Sequence, residues 1–307
     1  MQYITKTRVY DDRALNEDLA DLAERYPFLE RSVIGSSVLG RPIPALRWGE
    51  GERRVLLCGA HHGKEWITAL LMMRFAEILC SEYEREKDSG GKILDLYRSA
   101  SYHIVPMLNP DGVELCIHGL RGSIPDGVRT ALIRANGGSE DFVGKWQANA
   151  NGVDLNHNYD AAFERGRAFA QRLGISGPGP TRYSGEKPES EPESAALAQL
   201  TRELMPDVCA AYHSQGEIIY ANFDGKATKR ALRIAAEMSR LSGYELDETE
   251  GMASCSGYKD WVINEFYLPA FTIEVGRGEN PLPLSQFDEI LQKNREMLFF
   301  LGQCRGL

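Results

Sequence analysis

Apolar positions along the chain recur in two periods, and the switches between them mark out alternating helices and strands. From Leu15 to Tyr26 they fall three and four apart behind Asp11 and Asp12, which predicts an amphipathic helix with an acidic cap region. Ser32 to Gly51 reads as a hairpin, with Gly35 and Gly40-Arg41-Pro42 as its turn chemistry. Val55 to Ala60 is a compact apolar run, a buried strand that meets a glycine-containing turn. Helical spacing returns from Ile67 to about Lys87, and Gly90-Gly91 ends it. The stretch from Ser101 predicts a strand that leaves through a loop at Asn109-Pro110-Asp111-Gly112. From about Gly119 to Asn151 the periodicity fades, which predicts a long irregular excursion.

The second half repeats the alternation. Gly152 to Asn156 returns to the core, and Gly174 to Pro188 is a Gly/Pro-rich loop. Ser190-Glu191-Pro192-Glu193 opens a helix, with Ser190 at the cap and Pro192 in the first turn. Asp207 to Tyr212 and Gly216 to Phe223 are strands, and Ala227 to Gly243 is a helix closed by its glycine. Tyr258 to Phe266 is a short helix, the strand in Leu268 to Gly276 ends at Glu274, and Leu284 to Leu301 is a terminal helix. No repeat, low-complexity tract or linker cuts the chain. The expectation is one α/β domain over residues 1–307, with a central mixed, largely parallel sheet flanked by helices on both faces.

Composition narrows the class. Hydrophobic residues at 43% and charged residues at 26% suit a soluble globular protein. A net charge of −9 with no Lys/Arg run argues against nucleic acid as a partner. No apolar run approaches the roughly 20 residues that span a bilayer, and the start, MQYITKTRVYDD, has no apolar core of signal-peptide length. The six cysteines lie far apart with no C-x-x-C pair, as free buried thiols in a reducing compartment would. A cytoplasmic location is therefore the expectation, and nothing points to a protein partner.

Chemistry concentrates where strands end. His62 and Glu65 stand three apart between a strand and a helix, and both suit zinc. The alternative is a polar loop whose Glu65 favours a helix N-terminus. Of the six histidines, His103 lies inside a strand as a core or face residue, and His118 lies in a loop with no obvious partner. His213 closes the apolar run VCAAY and would complete a His₂Glu set, a combination that holds catalytic zinc. Glu274 closes another strand; a carboxylate there is either a solvated surface acid or a working one.

The chain resembles the zinc metallocarboxypeptidases over nearly its whole length. The landmarks are GAHHGKEWIT at residues 59–68, NPDG at 109–112, GVDLN at 152–156, AAYHSQG at 210–216, GYKDW at 257–261 and FTIE at 271–274. The resemblance implies one zinc ion per chain held by His62, Glu65 and His213. It further implies that Asp154 orients the first histidine and that Glu274 is the general base and acid. Departures from the digestive members concern the substrate. Gln147 and His157 stand where those enzymes use arginines, Asn156 is kept, and Met252 lies near the place of the usual tyrosine. The oxyanion donor is thereby left open, with Gln147, the neighbouring Lys145 or another cation as candidates.

The motifs HSQG and GYKDW and the tail Gly276-Arg277-Gly278-Glu279-Asn280-Pro281-Leu282-Pro283 resemble bacterial γ-D-glutamyl-meso-diaminopimelate peptidases. In the family the residue before the D-W pair floors the pocket for the leaving residue. Here it is Lys259, which would attract an acidic end such as the far carboxylate of diaminopimelate, or else snorkels to solvent. The expected activity is hydrolysis of the γ-D-glutamyl–diaminopimelate bond in peptide or muropeptide substrates. The alternatives are a metallocarboxypeptidase acting on α-linked peptides, a zinc-dependent deacylase, and a non-catalytic binding module on the same fold.

Overall fold

A computed structural model describes residues 8–248 and 251–304. The opening MQYITKT, part of the segment read above for a signal peptide, lies outside the described residues. In chain order the elements are α1 (Asp12–Arg25), β1 (Glu30–Ser36), β2 (Pro42–Trp48), β3 (Arg53–Cys58), α2 (Ile67–Glu86), α3 (Lys92–Ser99), β4 (Ala100–Val105) and α4 (Pro110–His118). Then come α5 (Asp126–Ala135), α6 (Phe163–Arg172), α7 (Pro192–Leu204), β5 (Val208–His213), β6 (Ile218–Tyr220) and α8 (Lys229–Ser242). β7 (Glu245–Asp247), α9 (Tyr258–Phe266), β8 (Ala270–Glu274) and α10 (Phe287–Gln303) complete the chain.

The strands form one sheet in the order β1-β2-β4-β3-β5-β8-β6-β7. Its centre, β4-β3-β5-β8, is parallel, whereas β1, β2 and the β6–β8 pairing are antiparallel. The near-continuous apolar run of β3 results from burial on both sides. Val55 and Leu57 enter one core, with α1, α2, α3, α8 and α10; Leu56 and Cys58 enter the other, with α7 and α9. Each such side chain removed from water stabilises the fold by about 1.5–3 kcal/mol. The expected single α/β domain with a mixed, largely parallel sheet and helices on both faces is what the chain forms.

Two expectations change. Asn109-Pro110-Asp111-Gly112 is a helix start and not merely a loop: the Asn109 side chain accepts from Gly112 N–H at 2.8 Å, and Pro110 occupies the first turn of α4, where its missing N–H costs nothing. The excursion from Gly119 to Asn151 contains α5, whose Leu132 packs with Leu115, Phe142 and Trp146 in a small satellite core. Smaller revisions concern single residues. The cap of α7 is Glu191, one residue beyond Ser190. His118 has a partner, Asp11 at 2.8 Å, which ties α4 to the start of α1. All six cysteines are free and buried, as expected.

Candidate active site

Three strand ends build the site. β3 runs into Gly59 and Ala60 and then presents His61 and His62; β5 ends on His213, and β8 ends on Glu274. In the β5–β8 ladder His213 and Glu274 are register partners, and Val275 N–H donates to His213 C=O at 2.9 Å. Side chains alternate along strands, so this shared register aims both toward the same face as Cys58. Glu65 closes a short 3-10 turn, Gly63–Glu65, ahead of α2. Gly63 must lack a side chain, because a Cβ there would sit 2.2 Å from the Gly112 carbonyl at the start of α4. That packing holds the His62–Glu65 turn against α4, and Gly63 N–H donates to Gln147 C=O at 2.8 Å.

The side chains converge. His62 Nδ1 lies 2.9 Å from Glu65 Oε1, His213 Nδ1 lies 3.0 Å from Glu65 Oε2, and the two Nδ1 atoms are 3.3 Å apart. All three residues are buried. His62 Nε2–H donates to Asp154 Oδ1 at 3.0 Å, so Nδ1 is the nitrogen that faces Glu65 and His213. Two imidazole nitrogens and a carboxylate then face a common point, an arrangement that demands positive charge at its centre. Donors bound to tetrahedral zinc at 2.0–2.1 Å are separated by about 3.3 Å, so the donor set and its spacing fit that ion.

The electrostatics agree. Burial pulls the His62 pKa down, but Glu65 and Asp154 outweigh it and hold it well above the usual histidine value. Burial would raise Glu65, yet His62 and His213 bring it to about 2. Asp154 is buried too, and His62, His157 and hydrogen bonding hold it well below the usual carboxylate range. His213 and His61 are lowered, chiefly by burial. Glu274, half-buried at its strand end, is pushed well up by burial and by the nearby Glu65.

Asp154 is a hub. Its Oδ2 accepts from Gln147 Nε2 at 3.1 Å, Thr181 Oγ1 at 3.2 Å and Arg182 N–H at 2.8 Å. Gln147 is therefore bonded to Asp154 and not free. Lys145, the other named candidate for the oxyanion, pairs with Asp141 on the exposed surface. Asn156 Oδ1 accepts from Tyr258 N–H at 3.0 Å, and His157 Nδ1 lies 3.2 Å from Cys255 C=O. Lys259 does not snorkel: it is 3% exposed, donates to Asn222 C=O at 2.5 Å and is ion-paired with Asp260. Met252 is buried.

Two contributors escaped sequence reasoning. Asn109 Nδ2 donates to His61 C=O at 3.0 Å and so pins the turn between the histidines; the signal was the NPDG landmark, which reads as a loop on turn chemistry alone. Asn280 Nδ2 lies 3.5 Å from Glu65 Oε1, and Asn280 Oδ1 accepts from Ser214 Oγ at 2.7 Å. It belongs to the Gly276–Pro283 tail, whose motif carries no role for it.

The sequence profile of the zinc carboxypeptidase family matches residues 15–297. The chain is 38% identical over 285 residues to gamma-D-glutamyl-L-diamino acid endopeptidase 1 of Lysinibacillus sphaericus, covering 92% of this chain and 70% of that protein. It is 33% identical over 301 residues to the Bacillus subtilis (strain 168) protein YqgT, covering 97% of this chain and 78% of the other. Its fold is similar to the crystal structure of thrombin activatable fibrinolysis inhibitor, with a TM-score of 0.73 at 18% identity over 97% of this chain and 74% of that one. With two histidines and a glutamate converged on one point and a profile match across nearly the whole chain, this protein belongs to the zinc carboxypeptidase family.

Proposed function

We propose that this protein is a zinc-dependent peptidase that hydrolyses the γ-D-glutamyl–meso-diaminopimelate bond of peptidoglycan-derived peptides. The observation that carries the reading is the convergence of His62 Nδ1, His213 Nδ1 and the Glu65 carboxylate, with Glu274 on the same rung as His213. The choice of bond is supported by the similarity to the Lysinibacillus sphaericus endopeptidase and by the buried cation Lys259.

One zinc ion per chain is assigned to His62, Glu65 and His213. Bound there, zinc supplies a Lewis acid for the scissile carbonyl and acidifies water. Asp154 keeps His62 in the tautomer whose Nδ1 is free to bind. Glu274 takes the proton of the attacking water and delivers it to the departing amine. Gln147, Asn156, His157 and Lys259 are assigned to substrate binding, Lys259 toward the far carboxylate of the diamino acid. Six buried free thiols support the cytoplasm as the working compartment.

The test is direct. The zinc-loaded protein is incubated with L-Ala-γ-D-Glu-meso-diaminopimelate and, separately, with α-linked peptides. Release of diaminopimelate from the first alone is the expected result. Cleavage confined to α-linked peptides makes the protein a metallocarboxypeptidase of ordinary specificity, and no turnover of either makes it a binding module.

A further inference from the structure

The chemistry above uses His62 and leaves its neighbour His61 without a task. His61 is fully buried, with 0% of its surface exposed. Two contacts hold its ring: Tyr159 Oη lies 3.3 Å from Nε2, and Cys58 Sγ lies 3.7 Å from Nδ1. Its face lies against His213, with ring centroids 5.2 Å apart and planes 27° apart.

His213 has need of such a neighbour. His62 is fixed through Nε2 by Asp154, as a metal-binding imidazole ordinarily is at its second nitrogen. The corresponding atom of His213, Nε2, is buried and has no hydrogen-bond partner among the described residues. What lies against that ring is the stacked imidazole of His61.

The backbone prepares this arrangement. Ala60 adopts a left-handed conformation, φ 48°, that a residue with a Cβ seldom takes. It is held by Ala60 N–H donating to Thr68 Oγ1 at 2.8 Å, while Asn109 N–H donates to Ala60 C=O at 3.0 Å. Beyond this turn the two adjacent rings part. His61 goes to Tyr159, Tyr258 and Cys58, and His62 goes to Asp154 and Glu65.

We propose that His61 is a positioning residue: its ring, tethered by Tyr159 and Cys58, stacks on His213 and fixes the plane of that ligand where a hydrogen bond is missing. The proposal rests on His213 being a metal ligand, and so deepens the function proposed above.

The full-length chain tests it without any substrate. Zinc affinity is measured by competition with a chromophoric chelator, and the cobalt-substituted protein reports ligand geometry through its visible spectrum. His61→Leu removes the aromatic face, His61→Phe keeps it, and Tyr159→Phe removes a single tether. His61→Leu is expected to weaken zinc binding by about 10- to 100-fold, the range for losing a ligand's orienting partner, and to alter the cobalt spectrum. His61→Phe is expected to recover most of that loss, with Tyr159→Phe falling between wild type and His61→Leu. A lower melting temperature of the metal-free protein with unchanged zinc affinity and cobalt spectrum would mean simple core packing, and overturns the proposal. So does a His61→Phe variant that binds zinc no better than His61→Leu. If the His61 variants bind zinc normally while His213→Ala loses it, the stacking role alone fails and the metallopeptidase reading stands. If His213→Ala binds zinc as wild type does, the ligand assignment itself is wrong.

Discussion

Two groups of polar side chains meet near the carboxyl ends of the central strands, and they are organised in opposite ways. His62, Glu65 and His213 turn their potential ligand atoms toward one another at separations near 3 Å. Gln147, Asn156 and Lys259 turn theirs toward the protein: Gln147 to Asp154, Asn156 to the α9 backbone, Lys259 to Asp260 and Asn222. Only the first group is left incomplete by its own fold. The difference teaches that the fold leaves the donor atoms of the proposed metal site facing one another, whereas the side chains proposed for recognition already have partners within the protein.

The comparison breaks first, and hardest, at Glu274. Glu274→Gln is expected to keep stoichiometric zinc and to lose activity by a factor on the order of 10³, the usual worth of a positioned general base. Metal analysis beside a rate assay checks it, and an active variant would remove Glu274 from the reaction. Next comes the hub between the groups. Asp154→Asn should weaken zinc binding by about 10- to 100-fold, because an amide no longer enforces the His62 tautomer; chelator competition measures this. Smallest is the effect at Lys259. Lys259→Ala is expected to raise KM for diaminopimelate peptides about tenfold, as one charge-assisted contact is worth, with kcat changed less. The variant also strands the buried Asp260, so its unfolding midpoint should fall. A lower midpoint with unchanged KM would leave Lys259 as the counter-ion of Asp260 and nothing more.

The unequal legibility of the two groups has the same origin. His213 and Glu274 each close an apolar strand, and His62 and Glu65 sit at a strand-to-helix junction, so local pattern and motif order together single out all four as candidates. What Gln147 and Lys259 touch is set by Asp154, Asn222 and Asp260, in part tens of residues away, and no periodicity reports such pairings. His118 shows this plainly, since its partner Asp11 lies on another element. The excursion after Gly119 hid α5 because that helix fully buries only Leu132, too little for a visible apolar stripe. NPDG is ambiguous for a different reason: Asn, Pro, Asp and Gly are turn residues that also start helices, and the helical continuation from Val113 onward decides between the two.

The rung shared by His213 and Glu274 also makes the sheet a gauge. Neighbouring strands lie about 4.8 Å apart wherever a ladder is intact, so the backbone spacing between His213 and Glu274, the proposed ligand and base, is set by peptide hydrogen bonds and not by loops. Anyone grafting new surface loops onto this scaffold to redirect its specificity starts with that dimension already fixed. The strands β5 and β8 are the part to leave untouched.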